Sequence, residues 1–167
     1  MSDDSALVAS GSQTVGPFFH FALTADAAFG VVKPLGPGER IRLVVRVTDG
    51  DARPVSDAIV ELWQAIAGDH RAAFGRLPTD ADGSCEFETV RPPRHINVCL
   101  FARGLLRQVH TRIYFADDPE LESDPALRLV PADRRATLIA TPDGAVPNRW
   151  RFDLRLQGAG ETVFFSL

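Results

Sequence analysis

The sequence predicts a mostly β chain: a single-domain β-sandwich with an extended N-terminal arm and little helix. Three observations carry that reading. Short apolar runs alternate with polar residues and are rich in β-branched side chains, Asp/Gly turn signals separate them, and 167 residues suit one domain with one sizeable core.

Residues 1–17 predict an arm, and residues 18–167 the β domain. Phe18-Phe19-His20-Phe21 is too apolar for water, so it tucks under the domain or meets another chain. Lys33-Pro34-Leu35-Gly36-Pro37-Gly38-Glu39 is Pro/Gly punctuation. Residues 41–48 alternate as a strand, and Asp49-Gly50-Asp51 marks a turn toward a second strand at 58–64. Asp80-Ala81-Asp82-Gly83 is another turn, and strands are expected at 85–90, 95–103, 109–116, 150–157 and 162–165. Residues 117–135 are richer in Asp, Glu, Ala, Leu and Arg. They predict a short helical turn near Ala132-Asp133-Arg134-Arg135, where acid precedes base as the helix dipole favours.

Composition narrows the function classes. Apolar residues make up 45% and charged residues 24%, an ordinary globular balance, and a net charge of −4 argues against a nucleic-acid partner. No apolar run is long enough to cross a bilayer. The acidic start Met1-Ser2-Asp3-Asp4 lacks the basic head of a signal peptide, so a cytoplasmic protein is expected. Cys85 and Cys99 fall on separate strands; a bridge between them is the alternative to the expected pair of free, buried thiols in a reducing compartment.

The stretch His95-Ile96-Asn97-Val98-Cys99-Leu100-Phe101-Ala102-Arg103 is the most informative chemically. Strand alternation puts Ile96, Val98 and Leu100 on a core face and His95, Asn97, Cys99, Phe101 and Arg103 on the other. That second face is either a partly solvated sheet surface or the floor of a site. A metal pair of the His-x-His type is broken by Asn97, because an amide oxygen is a poor ligand for iron or zinc. His20, His70 and His110 are scattered over other segments, and no nucleophile elbow, phosphate loop or Cys-x-x-Cys occurs. Asp117, Asp118, Glu120 and Glu122 suit a solvated turn.

Several ordered stretches resemble one family. They are Ser12-Gln13-Thr14-Val15-Gly16-Pro17-Phe18-Phe19; Asp49-Gly50 through Pro54-Val55 and then Ala58-Ile59-Val60-Glu61-Leu62-Trp63-Gln64-Ala65, which resemble a first hairpin; Thr79-Asp80-Ala81-Asp82-Gly83 with Phe87-Glu88-Thr89-Val90-Arg91-Pro92; His95-Ile96-Asn97; Leu100-Phe101-Ala102-Arg103-Gly104; Arg112-Ile113-Tyr114-Phe115; and the ending Arg151-Phe152-Asp153-Leu154-Arg155-Leu156-Gln157-Gly158 with Gly160-Glu161-Thr162-Val163-Phe164-Phe165. Together they are similar to the intradiol ring-cleavage dioxygenases, over roughly residues 11 to 167.

The resemblance implies a β-sandwich and a ferric iron, Fe(III), held by two Tyr and two His. This chain has one tyrosine, Tyr114, and its His95 is followed by Asn97 where the second ligand would stand. The resemblance therefore implies the alpha-type chain of a two-chain member, with no metal ligands of its own. A homologous iron-bearing beta chain would be the partner and hold the iron. The substrates would be dioxygen and the small aromatic 3,4-dihydroxybenzoate, giving 3-carboxy-cis,cis-muconate in the β-ketoadipate pathway. It also implies that Arg103, Thr14, Gly16 and Pro17 line the substrate pocket. An arginine fork matches the substrate carboxylate, Gly16 permits close backbone approach and Pro17 stiffens the arm. Phe18 departs from the tyrosine of some relatives. For Arg103 the alternative is a salt bridge across the interface between the two chains, for Thr14 a backbone cap, and for the whole chain a non-catalytic β-sandwich binding module.

Overall fold

The computed structural model describes residues 9–24, 30–33, 36–66, 68 and 72–166. The first half of the expected arm and His70 lie outside the described residues.

A short helix, α1 (Phe19–Leu23), precedes eight strands: β1 (Arg40–Thr48), β2 (Ile59–Ala65), β3 (Ala72–Pro78), β4 (Ser84–Val90), β5 (Ile96–Phe101), β6 (Val109–Phe115), β7 (Ile139–Pro142) and β8 (Arg149–Arg155). A second helix, α2 (Pro125–Leu129), and 3-10 turns at Leu121–Ser123 and Arg135–Leu138 fill the gap between β6 and β7. The strand order is β3-β2-β5-β6-β7-β8-β1-β4. Two four-stranded halves, β3-β2-β5-β6 and β7-β8-β1-β4, join through a short parallel pairing of β6 with β7.

The halves close on one core because each strand presents alternate side chains inward. Leu43, Val45 and Val47 of β1, Phe87 of β4, and Phe152 and Leu154 of β8 meet Val60 and Leu62 of β2, Val98 and Leu100 of β5, and Ile113 of β6. Phe87, Phe115 and Phe152 are at most 2% exposed, and each contributes about 1.5–3 kcal/mol of apolar burial. A satellite cluster of Tyr114, Leu127, Val130 and Leu138 packs α2 and the 3-10 turns against β6.

Both turn signals close as their sequences require. Asp49 Oδ1 accepts from the Asp51 and Arg53 amides, and Asp80 Oδ1 accepts from those of Asp82 and Ser84. Gly83 has φ +71, and a Cβ there would meet the Val47 carbonyl oxygen at 2.6 Å, so this turn needs glycine.

Three expectations need correction. The runs 41–48 and 58–64 form strands but no hairpin: β1 pairs with β4 and β8, and β2 with β3 and β5. Neither β3 nor β7 is among the expected strands. Ala72-Ala73-Phe74-Gly75 has little β-branching, and four-residue β7 is too short to show a period. Residues 162–165 make only an isolated bridge, Phe165 with His110, because Thr162 Oγ1 is spent accepting from the Arg155 amide. The helical turn expected near 132–135 is present, since the Arg134 amide donates to the Pro131 carbonyl at 2.9 Å and the chain runs on into the 3-10 turn Arg135–Leu138, while α2 adds a helix earlier in the same stretch, after Asp124.

Cys85 and Cys99 are free and buried. Burial first, then Asp80 beside Cys85 and Glu61 beside Cys99, pushes each thiol up to about 12. No helix among the described residues is long and apolar enough to cross a membrane.

Candidate functional site

The outer face of β5 carries polar groups at both ends, and they form two separate clusters. His95 and Arg103 lie eight positions apart in sequence, about 26 Å along an extended strand. Both fall outside β5, His95 just before it and Arg103 in the turn after it, and the six strand residues between them, about 20 Å long, keep them from one small-molecule site.

The first cluster lies where β5 ends. The antiparallel register places Ile59 opposite Phe101, so two residues further on Asp57 faces Arg103. Arg103 Nε donates to Asp57 Oδ2, and among the described residues neither Nη atom has a hydrogen-bond partner. Next in the chain, Gly104 has φ +89, and its amide donates to Thr14 Oγ1 at 2.7 Å. One hydroxyl thus latches the N-terminal arm beside the arginine across a separation of 90 residues. Gln13 and Val15, which flank Thr14, line a cavity of about 150 Å³ with Phe101, Ala102 and Leu105.

Downstream of the latch, the Gly16 carbonyl accepts from the Phe19 amide at 3.2 Å and opens α1. A Cβ at Gly16 would meet nothing within 4 Å, and its φ is not positive. Nothing among the described residues therefore demands glycine there. Gly16 and Pro17 are exposed, and so are Phe18 and Phe21, at 73% and 63%, with their rings stacked at 5.8 Å.

The second cluster lies where β5 begins. Tyr114 donates its hydroxyl to Asp124 Oδ1 at 2.9 Å, and the same oxygen accepts from the Ala126 and Leu127 amides, each at 2.9 Å. Asp124 is therefore the N-cap of α2, with Pro125 in the first turn as helix starts favour. Burial pushes its carboxyl up. The Leu127 amide, the Tyr114 hydroxyl, the Ala126 amide and His95 outweigh that and hold it below the usual carboxylate range. Burial, with the Asp124 bond, keeps the Tyr114 phenol above its ordinary value, so it stays protonated. His95 Nδ1 is buried, with no hydrogen-bond partner among the described residues, 3.9 Å from Asp124 Oδ2. Burial, then Arg112 and Arg94, lowers the imidazole pKa against the opposing pull of Asp124 and Asn97.

These residues do not fit a ferric centre. Tyr114 is a hydrogen-bond donor rather than a tyrosinate, Asp124 Oδ1 is saturated by three donors, and the side chain two residues past His95 is an amide, Asn97, a poor ligand for iron. Among the described residues no group of three His, Cys, Asp or Glu could hold a metal ion.

A stability prediction follows from His95. Its folded pKa lies below the ordinary value near 6.5, so the unfolded chain takes up the proton first. Stability therefore falls as pH drops below about 6.5, until the folded imidazole protonates as well. Urea melts between pH 5 and 7.5 should show this slope in the native chain and less of it in His95→Asn. Equal slopes would show that His95 does not carry it.

Sequence reasoning missed Asp57 and Asp124. Asp124-Pro125 is a legible cap signal, whereas Asp57 matters only through β2–β5 pairing, which joins strands that are not consecutive.

No family model matches the chain. It is 39% identical to the protocatechuate 3,4-dioxygenase alpha chain of Burkholderia cepacia, covering 93% of this chain and 96% of that one. That alignment spans 191 positions against the 167 residues of this chain, so the relative carries segments that this chain lacks. The beta chain of the same Burkholderia cepacia enzyme is 31% identical, over 91% of this chain and 77% of that one. Among solved structures, the dioxygenase domain of a dioxygenase carbohydrate-binding protein fusion from Streptomyces sp. SirexAA-E superposes with TM-score 0.59 at 27% identity, covering 77% of this chain and 86% of that one.

Proposed function

The chain belongs to the alpha chains of protocatechuate 3,4-dioxygenase, within the intradiol ring-cleavage dioxygenases, and from that membership we propose that it completes the substrate pocket of a homologous beta chain that holds the iron. The family is iron-dependent, and this chain's own donors are committed elsewhere, Tyr114 and Asp124 to each other and to the cap of α2. In the proposed complex the enzyme inserts both atoms of dioxygen between the hydroxyl-bearing carbons of 3,4-dihydroxybenzoate, giving 3-carboxy-cis,cis-muconate.

The observation that carries the reading is the Thr14–Gly104 latch, which holds the arm against Arg103 while the Nη atoms of that arginine have no partner among the described residues. The unpartnered Nη edge is a fork of two N–H donors suited to the substrate carboxylate. Thr14 acts by holding the arm, and Gly16 and Pro17 carry its exposed backbone toward the pocket. The absence of any steric demand for glycine at Gly16 suits a close approach by something outside this chain. Exposed Phe18 and Phe21 suit burial against the beta chain. Two buried free thiols accord with a reducing, cytoplasmic setting.

Co-expression with the homologous beta chain tests the proposal, with oxygen uptake measured on 3,4-dihydroxybenzoate. The expected result is activity and ferric colour only in the two-chain complex, and no stoichiometric iron on this chain purified alone. About one tightly held iron per isolated chain, with a tyrosinate-to-iron absorption band, would overturn it.

A further inference from the structure

We propose that Asp57 is a positioning residue for substrate recognition, holding the Arg103 guanidinium by its Nε side so that the two Nη atoms face the substrate carboxylate as a preset fork. This rests on the reading of Arg103 under the proposed function and adds a residue to it.

The mount under Asp57 is rigid. Thr79, 5% exposed, donates its hydroxyl to the Val55 carbonyl at 2.7 Å and accepts from the Ala58 amide at 3.0 Å. The Thr79 amide in turn donates to the Ala58 carbonyl at 2.9 Å. The Val55–Ala58 turn is thereby pinned on both sides of Asp57 by one buried side chain. The Arg103 side of the pair is pinned as well, because β5 is hydrogen-bonded on both edges and Thr14 Oγ1 holds Gly104.

A guanidinium offers two edges, one containing Nε and one formed by the two Nη atoms. Asp57 engages the first, and the second has no partner among the described residues. An arginine held in this way loses less rotamer freedom when it meets a second carboxylate. The opposing effect is that Asp57 offsets part of the positive charge that attracts the substrate. The Arg103 side chain is 57% exposed and that of Asp57 24%, so solvent screens this charge effect and orientation dominates.

The experiment uses the two-chain enzyme with Asp57→Asn, Asp57→Glu, Arg103→Ala and the Asp57→Asn/Arg103→Ala double variant. Steady-state oxygen consumption is read on 3,4-dihydroxybenzoate and on catechol, with iron content and size exclusion on the same samples. Asp57→Asn should raise KM for 3,4-dihydroxybenzoate about fivefold with kcat and the catechol constants unchanged. Asp57→Glu should recover part of the loss, and the double variant should resemble Arg103→Ala alone. If Arg103→Ala raises KM but Asp57→Asn does not, the positioning role fails while the arginine reading stands. A lowered KM in Asp57→Asn would show competition for the guanidinium and overturn the role, as would equal losses on both substrates or loss of assembly. If Arg103→Ala leaves KM unchanged, the arginine reading itself fails, and this inference with it.

Discussion

Replacing Arg103 with Ala is expected to raise KM for 3,4-dihydroxybenzoate in the two-chain enzyme by about 10- to 100-fold. A charge-assisted hydrogen bond to a carboxylate contributes about 1.5–3 kcal/mol, and that range converts directly to the stated factor. The lower end applies if water keeps access to the pocket, since the side chain is 57% exposed in the chain alone. Catechol lacks the acid group, so it should be a poor substrate for both forms and should change little. The substitution also leaves Asp57 without its cation. Because that carboxylate retains partial solvent access, folding should survive. Oxygen consumption on both substrates, with iron analysis and size exclusion, separates the outcomes. An equal loss on catechol, or separation of the two chains, would make the Arg103–Asp57 pair a structural contact.

Strands with a clean period of two are legible from residue order alone: β1, β4, β5, β6 and β8 lie within a residue or two of the expected ranges. Their partners are not legible in the same way. Alternation says which face of β1 is buried but is silent on whether β2 or β8 lies beside it, and a turn signal at Asp49–Asp51 suggests a hairpin even where the chain crosses between sheet halves. The same limit governs the candidate site. Arg103 and Thr14 become candidates by resemblance, and Asn97 is read there as breaking a ligand pair. The link between Thr14 and Gly104, the pairing of Arg103 with Asp57 and the division of the β5 face into two distant clusters all depend on long-range register. The commitment of Tyr114 to Asp124 likewise depends on α2 packing against β6, which no local pattern encodes.

At the His95 end of β5 the largest expected effect is on stability. Asp124→Ala should cost about 2–4 kcal/mol, the middle of the range spanned by the loss of an N-cap, about 0.5–2 kcal/mol, together with a buried tyrosine hydroxyl left without its acceptor, about 1–3 kcal/mol. Tyr114 is 1% exposed and Asp124 9%, so water replaces neither bond readily. Leu127 would lose its anchored amide, and the cluster of Tyr114, Val130 and Leu138 would loosen with it. For a chain of this length the melting temperature should fall by about 5–15 °C. Asp124→Asn is the informative control, because its amide oxygen still accepts from the Tyr114 hydroxyl and both amides and caps a helix nearly as well. It should cost under about 1 kcal/mol at neutral pH. The carboxyl is held below its ordinary value in the fold, so its contribution is full above a pH of about 4 and is lost as pH falls through the folded pKa. Asp124→Asn should therefore lose less stability than the native chain over that acidic range. Urea melts of the native chain and both variants at pH 7 and at pH 3–4 check each step. If Ala costs no more than Asn at pH 7, then Asp124 Oδ1 is not the shared acceptor that holds α2 to β6.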